Sequence, residues 1–345
     1  MQRDPSRGRG GRRKRSRPCP HNAAVRSFAP PKSPPPARAL AAWKVPAANG
    51  VTRAHAGVHA ASRRRALGIA AAWIGAPGLV ACGAWRADAA PWEARLRGST
   101  IALLGEVHDN AEHHRQRTSV LRRAFASGWR PAVVMEQFDI DRQADIDRAR
   151  IERPRDAAHV IALAGAARGW DWRHYEPVIA LALEHDAPLL AGNLPRATAA
   201  RLVRDMPPAV FGSERARELG LDVAPDAAWQ AAQEQEIDRG HCGALPPTLW
   251  PGMARGQFAR DAVMAQQLQR HVARGAVLLA GNGHVRRDLG VPRWLPLALA
   301  PSVLAVGFVE ADDGPPVAPR FDAVVVTAPA ERADPCATFK PPRAG

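Results

Sequence analysis

The stretch Ser99–Asn110, "STIALLGEVHDN", decides the fold. An apolar run of strand length ends abruptly in Gly105-Glu106-Val107-His108-Asp109. The apolarity is continuous and does not alternate, which fits a strand covered on both faces. Five further runs read the same way: "PAVVME" at 131–136, "APLLAGN" at 187–193, "AVLLAGNGH" at 276–284, "SVLAVGFV" at 302–309 and "FDAVVVT" at 321–327. Helical patterns separate them, including Ala111–Ser127 and 255–275. Alternating strands and helices predict an α/β fold, a mostly parallel sheet flanked by helices. Residues 196–252 have no strand-like run and are punctuated by "MPPAV" and "LPPTLWPG", so they read as a smaller helical insertion or cap. The α/β domain is then assigned to 95–195 and 253–330, with 331–345 as a C-terminal tail.

The charge balance excludes one function class. The chain of 345 residues carries a net +15, but residues 1–81 hold 16 of the 48 Lys+Arg and one of the 33 Asp+Glu. The remainder is neutral, so the basic balance describes a leader and does not point the folded part to nucleic acid. Within the leader, residues 1–50 are rich in Arg and Pro and cannot bury enough apolar surface to fold. We read them as not part of the natural protein, with a start at Val51. The alternative, a basic arm, conflicts with the export signal behind it. Arg63–Arg65, the uncharged run Ala66–Ala81 and its small residues have the three-part layout of a secretory signal peptide. The run is shorter than the roughly 20 residues needed to span a bilayer. Leu79-Val80-Ala81-Cys82 resembles the bacterial lipoprotein box, which makes Cys82 the lipidated residue and the product a membrane-anchored protein of the cell envelope.

Beyond Cys82 only Cys242 and Cys336 remain, an even pair in an oxidising compartment, and a disulfide between them is expected.

In a parallel sheet the carboxyl ends of the strands share one edge, where ligands bind. Four strands end there in polar groups: Glu106 and His108, then Glu136, then Asn193, then Asn282 and His284. Two of these endings share the pattern Gly-x-x-His. "GWDWRHYEPVIALALEHDAP" reads as the crossover helix entering the third strand, with Pro177 in its first turn. That brings Tyr175, the only tyrosine, to the same edge.

"LLGEVHDNAEHHRQ", "VVMEQFD", "GWDWRHYEPVIALA", "LLAGNLPR", "QFARDAVMAQQL", "LLAGNGHVRRDLGVP" and "RADPC", in this order over roughly residues 95–340, resemble the ChaN family of bacterial haem-binding lipoproteins, in the Tiki/TraB/EreA-like group. The resemblance implies haem as cofactor, a role in iron uptake, and Tyr175 as ligand of the haem iron, because the "W-x-x-Y-x-P" stretch matches. Arg173 and His174 beside it are the expected cations for a phenolate. It further implies a haem receptor or transporter as partner, and a homodimer is compatible with it. His108, His284 and Arg196 are expected around the cofactor, and Arg286 is either a propionate partner or a surface charge.

Wider relatives in that group suggest the alternative, an esterase- or peptidase-like hydrolase in which Glu106, His108, Glu136 and His284 form a general acid/base site. The close i, i+4 pairing of H-E-x-x-H is missing, so zinc is weakly supported. His113 and His114 are expected in a solvated first helical turn. The glycines of "GNGH" lack the spacing of a dinucleotide or phosphate loop.

Overall fold

The computed structural model describes residues 91–165, 169–311 and 320–338. The leader, the signal-peptide expectation and Cys82 lie outside them. In chain order the helices and strands are α1 (Pro91–Leu96), β1 (Ile101–Leu104), α2 (Ala111–Ala126), β2 (Ala132–Asp139), α3 (Gln143–Glu152), α4 (Ala157–Ala164), α5 (Trp172–Glu184) and β3 (Leu189–Asn193). They continue with α6 (Arg196–Arg204), α7 (Pro207–Phe211), α8 (Ser213–Glu218), α9 (Ala227–Gly240), α10 (Trp250–Gln269), β4 (Ala276–Leu279), α11 (Asn282–Val285), β5 (Val303–Glu310) and β6 (Ala323–Thr327). Each of the six apolar runs is a strand, and all pair in parallel in the order β3-β2-β4-β1-β5-β6.

Side chains of a strand alternate between faces, and β1 shows why its run is apolar throughout. Ala102 and Leu104 enter one core cluster with Leu121 and Phe125 of α2 and Ile179 of α5. Ile101 and Leu103 enter the opposite cluster with Met264 and Leu268 of α10. Both faces are covered, so no position along β1 is left for a polar residue.

Between β3 and β4 the chain forms only helices and short turns, with their own cluster of Leu194, Leu202, Leu219, Leu221, Ile237 and Phe258. A 20-residue α10 returns from this helical part to the sheet, starting earlier than the sequence pattern suggested. The α5 helix also starts earlier. Asp171 caps it by accepting from the Arg173 amide at 3.2 Å, so Pro177 sits inside the helix and not in its first turn.

Residues after β6 run as a strap across the sheet edge. Arg332 binds Asp109 at 2.8 Å and Glu310 at 2.7 Å, and Glu310 accepts from the Asn110 side chain at 2.7 Å. The strap ends in a disulfide between Cys336 and Cys242, with Cα atoms 5.6 Å apart, as the cysteine count predicted.

Candidate functional site at the carboxyl edge of the sheet

Strand order assembles the site. Insertion of β4 between β1 and β2, with Leu279 paired to both Leu104 and Met135, sets the two Gly-x-x-His loops side by side and Glu136 next to them. The loops touch closely: a Cβ on Gly281 would lie 2.9 Å from His108 Cε1 and 3.0 Å from its Nε2. A side chain at 281 would therefore displace the His108 ring. The Gly281 amide donates to Glu136 Oε2 at 2.8 Å, and the Asn282 amide to the Glu106 carbonyl at 2.9 Å.

Two carboxylate–imidazole systems result. In the first, Glu106 is buried and its Oε1 faces His108 Nδ1 at 2.8 Å and the Tyr175 hydroxyl at 2.7 Å, while its Oε2 pairs with Arg117. The His108 side chain is 47% exposed, so this imidazole is the part of the system that solvent or a ligand can reach. Arg117 also donates to His114 Nδ1 at 3.0 Å. A guanidinium cannot accept, so His114 Nε2 carries the proton that goes to the His108 carbonyl at 2.9 Å. Burial accordingly pulls the His114 pKa down to about 4.

In the second system His284 is sandwiched between two carboxylates, with Nδ1 2.6 Å from Asp261 and Nε2 3.4 Å from Glu136. Burial opposes its charge, but Glu136 and Asp261 outweigh it and raise the His284 pKa to about 10. Burial raises Asp261 to about 6 against the pull of His284. Glu136 is held well below the usual carboxylate range despite burial, because the His284 charge faces it.

Several sequence expectations need correction. His113 and His114 are not solvated but buried. The His113 ring accepts from the Val107 amide at 3.0 Å and meets the Thr327 hydroxyl at 2.7 Å, and His114 stacks on His174 at 4.7 Å. Arg286 is not a surface charge: it is buried and paired with Glu236 at 2.8 Å and Asp288 at 2.6 Å. Tyr175 does reach the strand edge, yet it is 1% exposed, its hydroxyl points inward to Glu106, and burial pushes its pKa up. Arg173 turns outward to Asp171. Asn193 accepts from the Leu194 amide and from Arg260, each at 2.9 Å.

Two buried partners escaped the sequence reading, Arg117 and Asp261. Each lies on a helix whose pattern is amphipathic, and the only signal is a charged residue at a position of the apolar face.

A cleft of about 630 Å³ adjoins the second system, between α6, α9, α10 and the β4 loop. Such a volume suits a small-molecule or cofactor site. Its apolar wall comes from Ala199, Val203, Ile237, Met253 and Leu289, its cations include Arg196 and Arg260, and His241, His284 and Asp261 complete it. Arg196 is exposed at the rim. Among the described residues no group of three or more His, Cys, Asp or Glu is arranged to hold a bare metal ion, and no helix is long and apolar enough to cross a membrane.

The fold and site define a parallel α/β protein with paired Glu–His systems at the strand ends and a ligand-sized cleft beside them. The chain belongs to the ChaN family of the Tiki superfamily, described as haem-binding uptake, whose sequence profile matches residues 92–295. Among solved structures it is similar to ChaN of Campylobacter jejuni, described with cofacial haem binding, at 18% identity and a TM-score of 0.50, over 63% of this chain and 84% of that one. At that identity the likeness shows the fold alone. A mutant of the erythromycin esterase EreC in its open conformation matches at 13% identity and a TM-score of 0.36, over 63% of this chain and 71% of that one, too low to carry an argument. No curated protein matches the sequence.

The lining of the cleft fits a haem in chemical type: its apolar wall would suit a macrocycle, and Arg196 and Arg260 would complement propionates.

Proposed function

We propose that this protein is a haem-binding lipoprotein of the bacterial cell envelope that serves haem and iron uptake. Family membership supports haem as the ligand. The observation that carries the reading to this chain is the cleft, which joins an apolar wall and cations in one cavity of ligand size. Haem bound there supplies redox-active iron as cargo; the protein supplies enclosure and charge complement. Anchoring through lipid on Cys82, exposure to the periplasm or outer membrane, a homodimer, and a haem receptor or transporter as partner belong to the same proposal.

The test is titration of hemin into the purified chain, followed by its Soret band. Saturable binding is expected, and absence of a shifted band up to high micromolar hemin would overturn the reading. Intact mass of membrane-extracted protein tests the anchor: an unmodified N-terminus upstream of Cys82 would remove it.

One observation favours hydrolysis as a second reading. The Glu106–His108 pair, bonded at 2.8 Å with His108 half exposed, is a general-base arrangement. Turnover of an ester or peptide panel that is abolished by His108→Ala would establish it.

A further inference from the structure

We propose that the amino edge of the sheet, opposite the candidate site, is a docking face for an anionic bilayer. The inference rests on the lipid anchor of the proposed function and names the surface that the anchored protein turns to the membrane. A parallel sheet is entered at one edge, and backbone bonds tie the entry loops together here. The Thr100 amide donates to the Ser302 carbonyl at 2.9 Å, the Ala132 amide to the Gly275 carbonyl at 2.9 Å, and the Val133 amide to the Pro188 carbonyl at 2.8 Å. What these loops and the helix ends before them carry therefore lies along one edge.

That edge is basic. Arg95 and Arg97 precede β1, Arg122 and Arg123 lie in the last turns of α2, and Arg270 and Arg274 follow α10; all six are exposed. The acids among them are Glu93, which Arg123 neutralises at 2.8 Å, and Glu184 and Asp186 before β3. Among the described residues no acid pairs with Arg95, Arg97, Arg122 or Arg274. Burial, and then the charges of Arg274 and Arg270, hold the His271 pKa below its ordinary range, which fits a positive local potential.

The loop into β5 adds an apolar tip. Leu297 is 91% exposed, and Pro296, Ala298, Ala300 and Pro301 around it are exposed too. The base of the loop adjoins the end of α10, where the Gln269 side chain donates to the Trp294 carbonyl at 3.4 Å, so the leucine stands near the arginines. A bilayer surface satisfies both features together: anionic headgroups meet the guanidinium groups, and the acyl boundary takes the leucine. Tether length agrees. From Cys82 to Pro91 the chain reaches at most roughly 30 Å, and α1 leads directly to the arginines before β1, so lipid on Cys82 keeps this edge near the bilayer and leaves the carboxyl-edge site facing away from it.

The experiment uses the processed chain from residue 82 with Cys82→Ser, which carries no lipid; every helix and strand of the fold lies within it. Sedimentation with phosphatidylcholine vesicles, with and without phosphatidylglycerol, is expected to show binding to the anionic vesicles alone and its loss in high salt. Arg97→Gln, Arg122→Gln and Arg274→Gln together are expected to lower the partition coefficient on the order of a hundredfold, about fivefold per arginine, with Tm unchanged. A polarity-sensitive dye on Leu297→Cys is expected to shift to shorter emission wavelengths on anionic vesicles. Equal partition of wild type and the triple variant, equal binding to neutral vesicles, or an unshifted dye overturns the docking face. Binding to an acidic polypeptide without binding to vesicles overturns it as well and assigns the edge to a protein. Failure here leaves the anchor and the haem reading standing, because intact mass and the Soret band decide those, and an unmodified N-terminus removes the anchor without altering these vesicle readouts.

Discussion

Arg117→Met should strongly destabilise this protein. Arg117 and Glu106 form an ion pair in which the two side chains are 3% and 0% exposed, so methionine fills the space but leaves a carboxylate in the core without its cation. Breaking one side of a buried pair costs about 3–5 kcal/mol. The bonds from Arg117 to the Leu104 carbonyl at 3.1 Å and to His114 at 3.0 Å are lost as well. Against this, His108 and Tyr175 still face Glu106 at 2.8 and 2.7 Å, which keeps the expected loss near ~4 kcal/mol. That is a large fraction of the ~5–15 kcal/mol that separates folded from unfolded domains, and it lowers Tm by on the order of 10 °C. Urea unfolding at pH 7 measures it, with the slope compared to wild type. The double variant Glu106→Gln/Arg117→Met removes the stranded charge and should regain at least ~2 kcal/mol. A loss below ~1 kcal/mol in the single variant, or no recovery in the double, would refute the claim that pairing holds this charge in the core.

His284 keeps its proton in the folded state while the unfolded imidazole loses it above 6.5, so its contribution is fully present below that pH and disappears as pH rises through about 10. Unfolding free energies at pH 6.5, 8 and 9.5 should therefore fall steadily, and His284→Gln should flatten that fall; equal slopes would count against it. Cys242→Ser opens a loop spanning a sequence separation of 94 and should cost roughly 4–5 kcal/mol on chain-entropy grounds, a difference that must vanish when wild type and variant are compared under reductant. Gly252→Ala places a Cβ against the Val203 carbonyl, forces α10 off α6, and should cost about 1–3 kcal/mol in thermal unfolding.

The sheet was legible because burial on both faces leaves no polar position in runs such as "IALL" and "AVLL", and the alternation of such runs with helical patterns then points to the class and to parallel pairing. Convergence of Glu106, His108, Glu136 and His284 followed from strands sharing one carboxyl edge. What the sequence hid were contacts made across layers. Arg117 and Asp261 look like solvated charges on helices until the facing carboxylate or imidazole is placed, and adjacent His113 and His114 look like a polar first turn. Both are buried because Thr327 of β6 and His174 of α5, distant in sequence, close over them. Tyr175 was located correctly along the chain, but the direction of its hydroxyl depends on Glu106, which no local pattern records.

The strap from β6 to Cys336 gives maturation an order. Asn110, which caps α2 by accepting from the Glu112 and His113 amides, is held from behind by Glu310 and Arg332, and the turn carrying His241 is tied to residue 336. Neither restraint exists until synthesis has passed the strap, and the second also awaits an oxidant. Until the chain beyond β6 is made and the two thiols are oxidised, the turn that carries His241 into the cleft lining lacks its covalent tie to the strap.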